Sequence, residues 1–356
     1  MNKMDKKLVF VGLSGGVDSS VAAYLLKKEG YGVVGVFMRC YNLDGCAQKD
    51  AEDARRAAEK LEIPFYVWDF EKEYKKKVVE YMVSGYKKGI TPNPDVMCNK
   101  EIKFGLFFDK AIKAGADFVA TGHYVRLIGN NLFEAKDKNK DQSYFLWTLT
   151  KKQLERCLFP IGSYLKPEVR EIAKKAGLPT AEKKDSQGIC FLGQVSIEDF
   201  LKEYIPEKEG DVILDNKKIG THKGAHLYTI GQRHIRADIE YPSEGGGKDR
   251  KPYYVAEKDV KKNIVVLAEG ENNPALYKKE IELSGVNFIN PEFKKNNAEY
   301  EIMARVRYRQ PLVPAKLTVQ NKIAIRFKNP VKFVAPGQSA VFYDSKGQML
   351  GGGIIR

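Results

Sequence analysis

The stretch Gly12-Leu13-Ser14-Gly15-Gly16-Val17-Asp18-Ser19-Ser20 decides how the rest of this chain is organised. It follows an apolar run at residues 8–11 and precedes a helical pattern that begins near Val21. A buried strand is therefore predicted to lead through a glycine-rich turn into a helix. Small residues let backbone N–H groups approach an anion, and a helix start adds free N–H donors and a positive dipole end. The stretch predicts a phosphate-binding loop, in which Ser19 and Ser20 cap the helix or donate to phosphate oxygens.

This loop differs from two common phosphate-binding motifs. The Walker A loop requires Lys followed by Ser or Thr after its glycines, and the dinucleotide fingerprint requires three glycines at another spacing. Neither pattern occurs at residues 12–20. The segment Ser14–Ser19 instead resembles the loop of the ATP pyrophosphatase superfamily, whose members cleave ATP between the α and β phosphates and adenylate a substrate. The alternative without a ligand is a glycine turn with a serine cap, and the strand–loop–helix context argues against it.

Length, charge and cysteine content narrow the class of protein. A chain of 356 residues predicts two or three domains. Lys and Arg exceed Asp and Glu by 60 to 46, a net charge of +14, which favours a polyanionic partner, nucleic acid before membrane. The polar N-terminus and the lack of a long apolar run predict a cytoplasmic protein without a membrane partner. Five widely spaced cysteines favour thiol chemistry or a metal over a disulfide framework.

Apolar strands alternate with amphipathic helices over residues 8–125, which predicts an α/β fold with a doubly wound parallel sheet. Ligands of such sheets bind beyond the carboxyl ends of the strands, where the phosphate loop, Met38 and the Gly122-His123 pair are expected. From Gly210 onward short strands alternate with turns, which predicts a small β domain followed by a C-terminal β barrel. The predicted domains are a catalytic domain at 1–205, a central β domain at 206–272 and a tRNA-contacting barrel at 273–356.

Two segments present a cysteine. Pro92 and Pro94 stiffen the first and hold it out of a helix, while Asp95 and Cys98 are spaced to share a face on one helical turn. Asn, Lys and Glu surround Cys98, a setting that favours a reactive thiolate over a small buried residue. In the second segment, charged residues and Gly188 precede Cys190. A presented thiol and a core cysteine both remain open there.

The last domain carries Arg305-Val306-Arg307-Tyr308-Arg309. Alternation along a strand would place the three arginines on one face and Val306 with Tyr308 on the other. Such a face suits contacts to phosphates, and a tyrosine can stack on an unpaired base. A solvated strand face is the equally weighted alternative.

Taken together, these segments resemble the tRNA-specific 2-thiouridylase family, whose enzymes thiolate the wobble uridine of certain tRNAs. The similarity extends over essentially the whole chain. The two cysteine segments and Tyr228-Thr229-Ile230-Gly231-Gln232-Arg233 are specific to that family, whereas the phosphate loop is shared across the superfamily. Further matches are Ala120–Tyr124, Lys140–Leu146, Pro336–Tyr343 and Gly351–Gly353. The resemblance implies an adenine nucleotide alpha hydrolase-like fold for the first domain.

The resemblance also implies which residues bind ligands. ATP would be held by Gly12, Leu13, Ser14, Gly15, Gly16, Val17, Asp18, Ser19, Met38 and Gly122. The target base and tRNA would be held by Asn93, Pro94, Asp95, His123, Lys140, Asp141, Gln142, Arg307, Tyr308 and Gln338. Magnesium would bridge the phosphates, with Asp18 making a water-mediated contact and no protein site for a resident metal.

By the same resemblance, O2 of the uridine attacks the α-phosphorus of ATP and releases pyrophosphate. Cys190 carries sulfur as a persulfide, Cys98 acts with it and forms a transient disulfide or releases the sulfide, and Asp95 is the candidate general base. The implied partners are tRNAs for glutamate, glutamine and lysine, and a cysteine desulfurase or sulfur-relay carrier as donor.

Three alternatives remain at this point. An iron–sulfur cluster on Asp95, Cys98 and Cys190 ranks below the persulfide scheme. An amide-forming or other C–N-forming ATP pyrophosphatase would share the loop but not need the two cysteines. A non-catalytic tRNA-binding protein would hold ATP without releasing pyrophosphate. The segment 235–250 is longer than the loop usual in the resembled family, so its contacts are left open.

Overall fold

The computed structural model describes residues 6–41, 43, 45–184, 195–240 and 251–356, with only the backbone of Cys46. In the N-terminal domain the strands are β1 (Leu8–Gly12), β2 (Gly32–Arg39), β3 (Phe65–Asp69), β4 (Phe118–Thr121), β5 (Arg126–Ile128), β6 (Asn131–Phe133) and β7 (Cys157–Leu158). The α-helices are α1 (Val17–Lys28), α2 (Cys46–Lys60), α3 (Glu71–Tyr74), α4 (Glu80–Lys87), α5 (Pro94–Cys98), α6 (Phe108–Lys113), α7 (Lys151–Leu154), α8 (Lys166–Lys175) and α9 (Ile197–Lys202). Two π-helical segments span Lys75–Val79 and Asn99–Phe107, and a 3₁₀ turn spans Ser143–Phe145.

The five-stranded sheet of this domain has the order β3-β2-β1-β4-β7, and every neighbouring pair is parallel. Strand β1 lies between β2 and β4, so Val11 pairs with Gly35 on one side and with Ala120 on the other. The chain therefore moves outward in one direction through β2 and β3 and then returns to the other side of β1. This confirms the doubly wound parallel sheet and places its switch point at the end of β1, where ligands bind.

Both faces of the sheet are covered by helices. Helices α1, α2 and α8 cover one face, with Val21, Ala58 and Val169 among the buried residues. The other face carries the helical run from α3 to α4 and the run from α5 to α6, with Met82 and Ile102 fully buried. Near-continuous apolar strands such as Val9-Phe10-Val11 are what a sheet covered on both faces requires.

The remaining domains are all β, as predicted. The central sheet has the order β10-β9-β8-β12-β11, and the C-terminal strands close into a six-stranded barrel with the order β13-β16-β15-β14-β17-β18. The strands are β8 (Gly210–Leu214), β9 (Lys217–His222), β10 (Asp238–Ile239), β11 (Tyr253–Asp259), β12 (Ile264–Glu269), β13 (Tyr277–Phe288), β14 (Ala298–Arg305), β15 (Val313–Val319), β16 (Ile323–Lys332), β17 (Ser339–Tyr343) and β18 (Met349–Ile355). Short 3₁₀ turns span Ala225–Leu227, Pro274–Leu276 and Pro291–Lys294. The predicted domain boundaries fall between α9 and β8 and between β12 and β13, and they stay predictions.

Two local predictions were wrong. The prolines were predicted to hold the base segment out of a helix, but the chain is helical from Pro94 onward. Proline at the first helical position gives up no intrahelical hydrogen bond, and Asn93 caps the helix.

The second wrong prediction concerns the strand that was expected to carry three arginines on one face, which ends at Arg305. Beyond it the chain turns, and Arg309 has a positive φ of 66°. The arginines therefore do not form one strand face.

The barrel packs directly on the N-terminal domain. Tyr144, Trp147 and Leu149 share one apolar cluster with Val341, Tyr343 and Met349 of the barrel. Tyr144 donates its hydroxyl hydrogen to the Ser339 carbonyl (2.9 Å), and Trp147 Nε1 donates to Ser339 Oγ (2.9 Å). Across the described ranges, no helix is long and apolar enough to cross a membrane.

Candidate functional site

The turn between β1 and α1 is packed so closely that glycine is required at one position within it and at one position of the neighbouring β4 end. Gly15 has a φ of +73°, and a Cβ there would lie 2.2 Å from the carbonyl oxygen of Asp50. At the end of β4, a Cβ on Gly122 would lie 2.6 Å from the backbone nitrogen of Ser19. The turn, α2 and the end of β4 therefore meet at backbone distance. The first N–H groups of α1 have no carbonyl partner within the helix and remain available to an anion.

The serines of the loop do not cap α1 as predicted. The helix begins at Val17 with Gly16 as its N-cap, so Ser19 and Ser20 lie inside the first turn. Both hydroxyls donate to the Gly16 carbonyl, at 3.2 and 2.9 Å. Ser19 Oγ also accepts from the backbone N–H of Ser14 (3.1 Å). Ser19 thus holds the loop closed on the helix, and the exposed Ser14 faces the solvent side.

The other predicted nucleotide residues surround this turn. A Cβ on Gly12 would lie 3.0 Å from Cε of Met38, so Met38 flanks the end of β1. Leu13 and Val17 are buried in the core, and the Leu13 N–H donates to the Val36 carbonyl (2.8 Å). These two side chains anchor the loop to the hydrophobic core. The ATP-binding role of the residues stays a prediction, but the structure brings them together.

Asp18 is held by two side chains to which the sequence patterns assigned no role. Lys166 Nζ lies 2.7 and 2.8 Å from the two carboxylate oxygens of Asp18, and Tyr124 donates its hydroxyl hydrogen to Oδ1 (2.9 Å). Lys166 is the first residue of α8 and is only 8% exposed. An ammonium and a carboxylate therefore sit beside the phosphate loop as a neutral pair, which removes the repulsion that Asp18 alone would exert on phosphate.

The predicted base-binding segment is a short helix with a defined start. Asn93 Oδ1 accepts from the Val96 N–H (3.2 Å), which fixes Pro94 and Asp95 in the first turn. Asp95 is partly buried, and burial raises the pKa of its carboxyl while the charge of Lys103 opposes the shift. A carboxylate with a raised pKa is better matched to a general base near neutral pH.

Cys98 lies at the end of α5 and is 5% exposed. It packs in the apolar cluster that contains Ile102 and Phe107, whereas its sequence neighbours predicted a polar and partly basic setting, and the reactivity of its thiol stays a prediction. The reason is the helix itself, which directs Cys98 toward the sheet while Lys100 faces outward. Cys190 falls in the segment 185–194, outside the described residues, and the pairing of the two thiols stays a prediction.

His123 connects the helical run of the base segment with the nucleotide loop. Burial holds the pKa of its imidazole well below the ordinary histidine value, and the charge of Lys103 adds to that lowering. His123 is 6% exposed and packs against the ring of Phe104. Its Nδ1 is hydrogen-bonded to Thr121 Oγ1 (2.7 Å). A neutral, enclosed imidazole thus lies directly beside Gly122. Its predicted contact with tRNA is untested.

The Lys140–Gln142 segment lies between domains. Asp141 is 3% exposed, accepts hydrogen bonds from the N–H groups of Ala135 and Ser143, and pairs with Arg305 of the barrel at 2.7 Å. Gln142 accepts from the Tyr124 N–H (3.0 Å), and Lys140 is partly buried. In this conformation Asp141 and Gln142 make structural contacts, and their role toward tRNA stays a prediction.

The predicted barrel contacts also face other parts of the protein. Arg307 donates to the Ile230 carbonyl, and the ring of Tyr308 lies 4.5 Å from that of Phe145. Gln338 Nε2 donates to the carbonyl of Thr91 (2.9 Å), close to the base segment. The three residues therefore lie near one another at the domain junction.

A second ion pair lies on the far side of the phosphate loop. Lys183 Nζ binds Asp50 (2.7 Å) and Asp53 (2.6 Å) of α2, and the Asp50 carbonyl is the group that excludes a side chain at Gly15. Lys183 thus ties the chain to the loop two residues before segment 185–194 begins. Among the described residues, no group of three or more His, Cys, Asp or Glu side chains could hold a metal ion.

Comparisons with known proteins cover the whole chain. Three family models match in succession: the tRNA methyl transferase HUP domain at residues 7–194, the tRNA methyl transferase PRC-barrel domain at 198–269 and the aminomethyltransferase beta-barrel domain at 278–355. Among solved structures, a complex of a 4-thiouridine synthetase with RNA and bound ATP shares 19% identity over 56% of this chain and 50% of that chain. Its TM-score of 0.35 is too low to support an inference.

Curated relatives align over nearly their full length. A protein of Geobacillus kaustophilus named tRNA-specific 2-thiouridylase MnmA 1 is 46% identical over 99% of this chain and 96% of its own. Proteins named tRNA-specific 2-thiouridylase MnmA from Pediococcus pentosaceus and Staphylococcus aureus are 43% and 44% identical, each over all of this chain and 96% of their own. The chain belongs to the tRNA-specific 2-thiouridylase family.

Proposed function

We propose that this protein is an ATP-dependent tRNA-uridine 2-sulfurtransferase that converts the wobble uridine of its tRNA to 2-thiouridine. One observation carries the proposal: Phe104, on the helical run that continues the base segment, packs its ring against His123, and Gly122 beside His123 packs on Ser19 of the phosphate loop. The base segment with Cys98 and the nucleotide loop therefore border the same region. A base bound by the first can meet a nucleotide bound by the second.

The first chemical step forms an activated base. O2 of uridine attacks the α-phosphorus of ATP, the bond between the α-phosphorus and the bridging oxygen breaks, and pyrophosphate leaves. Asp95 accepts the proton from N3 of the uracil ring as O2 attacks, and its raised pKa suits that task. The product is a base whose C2 carries an adenylate, which is a far better leaving group than a carbonyl oxygen.

The second step transfers sulfur. The terminal sulfur of a Cys190 persulfide attacks C2 and displaces AMP, which leaves the base joined to Cys190 through an S–S bond. The Cys98 thiolate then attacks the Cys190 sulfur, breaks that bond, releases 2-thiouridine and forms a Cys98–Cys190 disulfide. If Cys98 instead attacks the persulfide first, hydrosulfide is released as the nucleophile and the same disulfide forms. Either route requires an external dithiol to reduce the disulfide before the next turnover.

The flanks of segment 185–194 support this assignment for Cys190. Lys183 lies against α2 beside the phosphate loop, and Val195 packs on the cluster that contains Cys98. Both described flanks of the segment therefore lie beside the region between Cys98 and the nucleotide loop.

Magnesium fits a site with one carboxylate. Mg²⁺ in nucleotide enzymes is held mainly by phosphate oxygens and water, with one or two carboxylates from the protein. Asp18 is a carboxylate within the first turn after the loop, and its pairing with Lys166 leaves it suited to a water-mediated contact. When bound, the ion neutralises phosphate charge.

The excess of basic residues supports tRNA as the partner. The net charge of +14 favours a polyanion. By family resemblance we propose tRNAs for glutamate, glutamine and lysine as substrates, and a cysteine desulfurase or sulfur-relay carrier as donor. We also propose a cytoplasmic location, where both would be found.

The description of two family models as tRNA methyl transferase suggests a different group transfer. We favour sulfur transfer because the thiouridylase relatives align over nearly the whole chain, and because a phosphate loop suits adenylation while Cys98 and Cys190 suit sulfur transfer. A C–N-forming ATP pyrophosphatase would have no use for Cys98 and Cys190.

The test is a thiolation assay with defined variants. The protein is incubated with ATP, Mg²⁺, a sulfur source and unmodified tRNA, and thiolated tRNA is detected by its retardation on a mercury-containing gel. Cys98→Ser and Cys190→Ser are each expected to abolish the retarded band while ATP binding persists. The matched control is Cys157→Ser, a buried cysteine of β7 on the far edge of the sheet, assayed at a temperature where it stays folded. Full thiolation by either of the first two variants contradicts the scheme.

A further inference from the structure

The segment Tyr228–Arg233 was singled out in the sequence as specific to the family, and the mechanism above gives it no role. In the structure it lies where all three domains meet. The point of contact on the N-terminal domain is Thr91, which immediately precedes the base segment Pro92–Asp95. The contacts of Thr91 therefore determine where that segment begins.

The barrel holds both backbone polar groups of Thr91. Its N–H donates to the Pro336 carbonyl (2.8 Å), and its carbonyl accepts from Gln338 Nε2 (2.9 Å). Gln338 Nε2 lies 3.5 Å from the Pro92 carbonyl as well. Gly337, which lies between Pro336 and Gln338 in the sequence, has a φ of +90°, and a Cβ there would lie 2.9 Å from the Thr91 carbonyl oxygen. The barrel turn is thus in direct backbone contact with the start of the base segment.

The central domain holds the side chain of Thr91 and is itself fixed by the barrel. Thr91 Oγ1 donates to Thr229 Oγ1 (3.3 Å), and the next carbonyl, that of Ile230, accepts from Arg307. Gly231 has a φ of +83° and packs against the ring of Phe333, whose own backbone has a positive φ of 60°. A bulky residue in the left-handed region is costly and persists where surrounding contacts enforce it.

Helix α4 closes the remaining side. A Cβ on Gly85 would lie 2.7 Å from Cγ of Pro92, so the proline ring is wedged between the helix and the barrel turn. Proline also fixes its own φ and restricts Thr91 before it. The peptide that enters the base segment is therefore in contact with the barrel, the central domain and α4 at once.

We propose that this junction, formed by Thr91, Thr229, Pro336, Gly337 and Gln338, positions Asn93 and Asp95 for the reaction on the target base. Gln338 is on this account a positioning residue that acts through the Thr91 carbonyl. The inference rests on the proposed function, because it assigns Asn93–Asp95 to the target base. It predicts that damage to the junction slows the chemical step and leaves tRNA affinity intact.

The test separates rate from affinity. Gln338→Leu keeps the volume of the side chain and removes the donor, and Gln310→Leu is the matched control because Gln310 Nε2 donates to the Lys332 carbonyl within the barrel (3.3 Å). The single-turnover thiolation rate at saturating tRNA and ATP is expected to fall about tenfold for Gln338→Leu, in line with the loss of one hydrogen bond that aligns a reacting group. The tRNA dissociation constant is expected to stay within twofold of wild type, and the control is expected to match wild type in both.

A second pair of variants tests the same junction sterically. Gly337→Ala places a methyl group against the Thr91 backbone, whereas Gly347→Ala, also in a barrel turn with a φ of +81°, meets only the tip of the Glu134 side chain at 2.9 Å. Only the first is expected to slow thiolation at constant tRNA affinity. Thermal unfolding of all four variants is measured to check that each one is folded.

The outcomes are distinct. A loss of tRNA affinity in Gln338→Leu that accounts for its loss of activity overturns the proposal and makes Gln338 a tRNA contact. Unchanged rates in both Gln338→Leu and Gly337→Ala also overturn it. Thiolation by the wild-type protein is measured before any variant is compared. If the wild-type protein does not thiolate tRNA at all, the result contradicts the proposed function and not the positioning role.

Discussion

At the scale of single residues, Asp95 shows how the fold adjusts a side chain for chemistry. Burial raises the pKa of its carboxyl and the charge of Lys103 opposes the shift. A general base acts in its ionised form, so the thiolation rate should rise with pH as Asp95 loses its proton, and this rise should lie above the range of an ordinary aspartate. The measurement is the single-turnover rate between pH 4.5 and 8 at saturating tRNA and ATP. Asp95→Asn should lower the rate about a hundredfold and lose the pH dependence; an unchanged pH profile in that variant would remove Asp95 as the base.

The residue scale is also where prediction from the sequence is most uneven. The phosphate loop and the Asp95–Cys98 segment are predictable because each is a continuous run with its own chemistry. The pair of Asp18 with Lys166 is not, because 148 positions separate them and neither residue differs locally from a surface charge. The setting of Cys98 was predicted from its neighbours in sequence, whereas a helix places neighbours on different faces.

At the scale of elements, the phosphate loop depends on the close approach of β4 to α1. Gly122→Ala would drive a methyl group to within 2.6 Å of the Ser19 nitrogen, where only backbone can yield. We expect the ATP dissociation constant to rise at least tenfold, because the loop and the first turn of α1 must shift. Gly32→Ala is the control within the same sheet, since its Cβ meets only an ordinary contact of 3.5 Å with Leu8. Calorimetric titration with ATP compares the two, and equal affinities in both variants would show that the approach is not needed.

Element boundaries were harder to predict than element types. The alternation of strands and helices predicted the parallel sheet correctly. The helix start at Pro94 was missed although its signals, an Asn before a Pro, stand in the sequence. The end of β14 at Arg305 has no comparably strong signal in the sequence. Arg305 is buried because it pairs with Asp141, a residue far away along the chain.

At the scale of the whole molecule, a buried charge pair locks the barrel to the N-terminal domain. Arg305 and Asp141 are 5% and 3% exposed, and Glu134 lies 3.1 Å from the same guanidinium. Asp141→Asn leaves a buried arginine with less counter-charge, which should cost about 3 kcal/mol of stability. Asp211→Asn, which removes the exposed pair with Lys218, should cost less than about 1 kcal/mol.

Tryptophan fluorescence can report that loss. The chain has two tryptophans, and Trp147 lies in the domain interface. In a Trp68→Phe background, urea unfolding followed at Trp147 therefore measures docking of the barrel. If Asp141→Asn left this transition unchanged and lowered only tRNA affinity, Asp141 would be a tRNA contact, as the family resemblance implies, and not a domain lock.

The central claim is that the oxygen lost from uridine leaves on the phosphorus of ATP. The most direct measurement uses tRNA whose target uridine carries ¹⁸O at C2, in a single turnover with ATP and a sulfur source, followed by mass spectrometry of the released AMP. Adenylation of O2 predicts one ¹⁸O in the phosphate of AMP for each 2-thiouridine formed. Thiolated tRNA accompanied by unlabelled AMP, with the ¹⁸O in water or pyrophosphate, would contradict it.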